Sequence, residues 1–100
     1  MTSLAIALMV PAPFDAVSGG YGYDRRIVAG LRARGHAVRV VELAGRHPLA
    51  DAAAEAAAWQ AIAELAPGEI PVIDGLGLPA FAPAAEALSR AHAVGLIHHP

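Results

Sequence analysis

Residues 4–10, LAIALMV, form an unbroken apolar run with no polar position on either face of a strand. An amphipathic helix or a half-exposed hairpin strand would break such a run. A central parallel strand covered by helices on both sides requires it. Around it, apolar segments alternate in kind. Residues 21–33 place Ile27, Val28 and Leu31 at helical spacing, and Gly35 follows where a left-handed C-terminal cap is wanted. Residues 37–43 (AVRVVEL) are short and β-branched and predict a second strand. Residues 51–66 (DAAAEAAAWQAIAELA) predict a long helix with Asp51 at its start and a packing stripe of Trp59, Ile62 and Leu65, stopped by Pro67-Gly68. Residues 70–74 (IPVID) predict a third strand, 75–79 a loop, and 81–91 a helix with Phe81, Ala85 and Leu88 facing inward. Residues 93–98 predict a fourth strand.

The alternation specifies an α/β fold: a Rossmann-like three-layer sandwich of about four parallel strands with helices on both faces. The long 43–70 connection carries the chain back over the first strand, which gives strand order 2-1-3-4; the other order compatible with the pattern is 3-2-1-4. In both, the first strand is central and the winding reverses beside it. Ligands of such sheets bind outside the carboxyl ends of the strands at that reversal.

Three groups of residues fall on that rim. Gly19 and Gly20, followed by Tyr21 and Gly22, lie between the first strand and the helix start, where bare backbone amides favour an anion. Asp74-Gly75 follows the third strand, where Asp caps a loop or lines the crevice. His98 and His99 follow the fourth. Adjacent strand residues point to opposite faces, so the two histidines do not share one metal ion, and only one of them faces the crevice as a hydrogen-bonding group or base. No metal site and no resident cofactor is expected. His36, just after the helix-ending Gly35, is read as structural. Arg25 and Arg26 are read as residues of a solvated helix face.

Several classes are excluded. Arg25 stands where a dinucleotide fingerprint needs its third glycine, and the phosphate-binding loop needs a lysine that this chain lacks, all seven basic residues being arginine. A phosphoacceptor domain needs an acidic cluster after the first strand, where only Asp15 stands, and a flavin site needs a Ser/Thr-rich loop where Pro11-Ala12-Pro13-Phe14 stands. The formal net charge of −2 supplies no field for nucleic acid, and the absence of cysteine removes disulfides and thiol chemistry. No charged region precedes the first apolar run, so a cytoplasmic protein is expected.

Taken together, GGYGYDRRIVAGLRARGHAVRVVEL (19–43), VIDGLGLPAF (72–81) and VGLIHHP (94–100) resemble segments of bacterial glycosyltransferase family 4 enzymes. The resemblance covers nearly the whole chain, in order. It implies a GT-B arrangement of two facing Rossmann-like domains, a nucleotide-sugar donor, a sugar or lipid-linked acceptor, retention of anomeric configuration, and no bound metal. It implies that residues 1–100 are part of the N-terminal, acceptor-side domain, that the donor-binding domain lies outside them, and that the chain alone transfers no sugar. A location peripheral to the inner membrane face is compatible with such an acceptor. By the resemblance, Gly19 and Gly20 let the backbone approach the donor phosphate or sugar, Tyr21 is a further substrate-binding candidate, Asp74 lines the crevice, and His98 or His99, the candidate catalytic residues, contacts the transferred sugar or the acceptor. Self-association is expected through the open sheet edge beyond the fourth strand. A stand-alone flavodoxin-like binding or interaction module without catalysis is the alternative.

Overall fold

The computed structural model describes residues 3–14 and 19–97, with residues 19–21 described by backbone alone. Its elements run β1 (Ala5–Pro11), α1 (Gly19–Ala33), β2 (Ala37–Leu43), α2 (Ala52–Ala63), β3 (Ile70–Asp74), a 3-10 helix (Leu78–Ala84), α3 (Ala85–Arg90) and β4 (Val94–Leu96). All strand pairs are parallel, and the order is β2-β1-β3-β4, the first of the two expected orders.

Alternation along the strands divides the core in two. Ile6, Leu8 and Val10 of β1 pack with Val38 of β2 and Val28 of α1. Ala7 and Met9 face the other way, against Leu43, Ile73, Phe81 and the α2 alanines Ala54, Ala58 and Ala61. So α1 covers one face, and α2 with the 3-10 helix covers the other.

Proline and glycine positions follow from this arrangement. Pro71 lies in an interior strand, yet no ladder bond is lost. The Gly75 N–H donates to the Leu96 carbonyl, so odd-numbered residues of β3 turn their amides toward β4. Pro71 is opposite the segment before β4 begins, where no strand needs its N–H. Gly35 closes α1 at φ +90 as expected. The His36 Nδ1 accepts from the Leu4 N–H at 3.0 Å, a structural role.

Four sequence expectations are corrected. First, α1 begins at Gly19, so Gly19 and Gly20 belong to the first helical turn and not to a loop. First-turn amides have no intrahelical partner, so glycine there costs no helix hydrogen bond. Second, the inward stripe of α2 is Ala54, Ala58 and Ala61, while Trp59 is 49% exposed; Ile62 and Leu65 flank the core as expected. Alanine lets the helix lie close to the sheet, and an inward indole would hold it away. Third, the expected helix 81–91 splits into the 3-10 helix and the short α3. Pro79 and Pro83 supply no N–H to an α-helical ladder. Phe81 is buried and Leu88 packs on the core, but Ala85 is exposed. Fourth, β4 is the short segment Val94–Leu96. No helix among the described residues is long and apolar enough to cross a membrane.

Candidate functional site

The carboxyl ends of β1 and β3, between which the winding reverses, are bounded by three connections. The first leaves β1. The Ala12 N–H donates to the Leu43 carbonyl at 2.9 Å, the Phe14 N–H to Glu42 Oε1 at 2.7 Å, and Arg25 Nη1 to the Phe14 carbonyl at 3.0 Å. Residues of β2 and α1 therefore clamp the chain as it leaves β1. No spacing in the sequence announces contacts between residues so far apart. Asp24 is more legible. It precedes Val28 by one helical turn, so it faces the sheet at the rim end of α1, and it is fully buried.

The second connection leaves β3. Asp74 is 1% exposed, and its Oδ1 accepts the Leu76 N–H at 2.9 Å while its carbonyl accepts the Gly77 N–H at 2.8 Å. The turn folds back over the neighbouring strands. A Cβ on Gly77 would stand 3.1 Å from Leu43 Cδ1 and 3.5 Å from Pro11 Cδ, so the missing side chain lets the turn seat on β1 and β2. Asp74 thus does the loop-capping work of Asp before Gly. It sits on the same sheet face as Val72, which packs in the α1-side cluster.

Beside this turn a cavity of about 230 Å³ opens at the tips of β3 and β4, lined by Asp74, Gly75, Leu76, Leu78, Leu96 and Ile97. Its lining side chains other than that of Asp74 are apolar. A Cβ on Gly75 would stand in ordinary contact with the Leu96 carbonyl oxygen at 3.6 Å and Ile97 Cγ1 at 3.7 Å, so a small side chain would fit at that end of the cavity.

The third connection, from β2 to α2, is held by Asp51. Its Oδ1 accepts the Ala54 N–H at 2.9 Å as helix N-cap and the Arg46 N–H at 3.1 Å. These two backbone donors, that of Ala54 foremost, hold its carboxyl below the usual carboxylate range. The N-terminus of α2 therefore already carries its own anion. His47 donates its Nε2 proton to the Ala44 carbonyl at 3.0 Å.

Of the residues singled out in the sequence, Asp74 lines the cavity. The backbone of Gly19, Gly20 and Tyr21 forms the start of α1, and the Tyr21 side chain lies outside what the structure describes. His98 and His99 lie outside the described residues. Arg25 and Arg26 are exposed, as a solvated helix face requires, although Arg25 also anchors the chain after β1. Among the described residues, no group of three or more His, Cys, Asp or Glu side chains could hold a metal ion.

No family model, curated protein or solved structure matches the chain.

Proposed function

We propose that this chain forms the acceptor-side part of a retaining glycosyltransferase that moves a sugar from a nucleotide-sugar donor to a sugar or lipid-linked acceptor. The observation that carries the proposal is the sheet order. With β1 and β3 adjacent, the start of α1 and the Asp74 turn both lie at the carboxyl rim, where α/β sheets bind ligands. The segments 19–43 and 72–81, which resemble segments of family 4 transferases, contain the start of α1 and the Asp74 turn. In this reading the first-turn amides of Gly19 and Gly20 approach the donor phosphate, and helix polarity favours the negative charge there. Asp74 fixes the turn that walls the acceptor side, and His98 or His99 contacts the transferred sugar. The groups that stabilise the leaving diphosphate belong to a second domain, so residues 1–100 transfer no sugar by themselves.

The competing reading is a binding or interaction module without chemistry. The observation in its favour is Asp74 itself, buried and engaged with the Leu76 N–H in a purely structural turn. Ligand-observed NMR with UDP-glucose, GDP-mannose and the bare nucleotides separates the two. The transferase reading expects a sugar nucleotide to bind the folded wild-type chain and Gly20→Val to abolish that binding. A folded chain that binds none of them refutes the proposed donor contact of Gly19 and Gly20.

A further inference from the structure

His36 stands where a backbone rung is missing. β1 and β2 pair in parallel with Ala5 opposite Ala37, and the Ala37 N–H donates to the Leu4 carbonyl at 2.9 Å. Continued to Leu4, that ladder would carry the Leu4 N–H to the Gly35 carbonyl. Gly35 instead closes α1 at φ +90, and the Leu4 N–H donates to His36 Nδ1 at 3.0 Å. A side-chain nitrogen thus replaces a carbonyl as the last rung between β1 and β2. The helix end holds the residue there, since the His36 N–H donates to the Leu31 carbonyl at 3.1 Å.

Unlike a carbonyl, this rung titrates. A backbone N–H only donates, so Nδ1 accepts and the ring proton is on Nε2. In the imidazolium both nitrogens carry protons, and two N–H groups would face each other across the 3.0 Å contact. Nothing acidic stands ready to hold the charged ring: among the described residues no carboxylate lies within ion-pair distance of it. The charged groups on the elements that meet here are cationic or already engaged. Arg32 donates to the Val38 carbonyl at 2.7 Å and Arg34 to the Gly30 carbonyl at 3.5 Å, while Glu69, just before β3, accepts from Arg39 at 2.7 Å. Leu4 is 42% exposed, so its side chain adds little to the two hydrogen bonds that hold its backbone.

We propose that His36 is a pH-sensitive latch on the start of β1. The neutral imidazole ties the Leu4 amide to the end of β2, and the imidazolium releases that amide to solvent. The entry to the sheet is therefore docked in neutral solution and loosened as pH falls through the ordinary histidine range, about pH 6.5. The latch lies at the amino end of the sheet, away from the carboxyl rim, and is independent of the glycosyltransferase reading and of any ligand.

Long-range proton–nitrogen NMR correlations of the imidazole report which ring nitrogen carries the proton. Hydrogen exchange of the Leu4 amide, corrected for the intrinsic rate at each pH, reports the rung. At about pH 7.5 the wild type is expected to show the Nε2–H tautomer and a protected Leu4 amide. By about pH 5 that protection is expected to fall about two- to tenfold, the worth of one ordinary hydrogen bond, while the Leu8 amide farther along β1 keeps its own. In His36→Asn the side-chain Oδ1 takes the place of Nδ1 and does not titrate, so protection is expected at both pH values; His36→Ala is expected to lack it at both. A proton on Nδ1 at about pH 7.5 overturns the proposal, as does Leu4 protection that is the same at both pH values in the wild type, or a fall that His36→Asn retains in full.

Discussion

Replacing Gly45 by alanine isolates how tightly the β2–α2 connection is docked on the rim. Gly45, Gly35 and Gly68 all have positive φ of similar size, +86, +90 and +79. An alanine at any of them therefore carries a similar left-handed penalty, about 1–2 kcal/mol. Their surroundings differ. Nothing lies within 4 Å of a Cβ built on Gly35 or Gly68, whereas at Gly45 that atom would stand 2.3 Å from the Ala54 N and 2.7 Å from Ala54 Cα. Both obstacles are helix backbone, so no rotamer change relieves them. The loop must lift from the first turn of α2 and pull the Arg46 N–H off Asp51, an overpacking cost of about 1–3 kcal/mol beyond the shared penalty. In a domain of this size each kcal/mol lowers the melting temperature by about 4–8 °C. Thermal unfolding followed by circular dichroism is therefore expected to show Gly45→Ala melting at least about 4 °C below both Gly35→Ala and Gly68→Ala. Three variants melting together would refute the close docking of the loop on α2.

Two further outcomes follow from packing and charge. Ala58→Leu, on the fully buried face of α2, is expected to cost about 1–3 kcal/mol in urea unfolding, whereas Trp59→Gln, one residue on, costs less than about 1 kcal/mol; the reverse ranking would put the indole inside. The Arg39 guanidinium, hydrogen-bonded to Glu69 at 2.7 Å, holds the Glu69 carboxyl below its ordinary value. The stability this contributes is fully present above the unfolded-state value, about pH 4.3, and is lost as pH falls through the lowered folded-state value. Urea midpoints of the wild type are thus expected to fall more steeply than those of Glu69→Gln between about pH 5 and pH 3, and parallel curves would refute the linkage.

The strands were legible because they are specified locally: an apolar run for β1, β-branched residues for β2, and the IPVID segment for β3. The caps at Asp51 and Gly35 were legible for the same reason, since each acts on backbone groups within a few residues. Trp59 was misread because size suggests burial. What decided the matter was the distance between α2 and the sheet, set by residues as remote as Ala7 and Met9. At the rim, the sequence marked Asp74 but not how its carboxylate is engaged. The clamp of Glu42 and Arg25 on Phe14 joins β2, α1 and the connection after β1 and has no local signature.

The Arg39–Glu69 pair reaches further than its charge. β2 and β3 are not neighbours, because β1 lies between them; Arg39 and Pro71 are both opposite Ala7. The pair therefore forms a polar strap across the back of β1, and the methyl of Ala7 is small enough to pass beneath it. Sliding β2 by one residue along β1 turns its apolar side chains outward and is rejected by the core. Sliding it by two keeps every side chain on its proper face, so hydrophobic patterning alone does not forbid that error. Such a slip moves Arg39 about 7 Å along the sheet, out of reach of Glu69. An ion pair whose guanidinium end is exposed and whose carboxylate end is covered can in this way select the one strand alignment in which the rim residues of β1, β2 and β3 end level with one another.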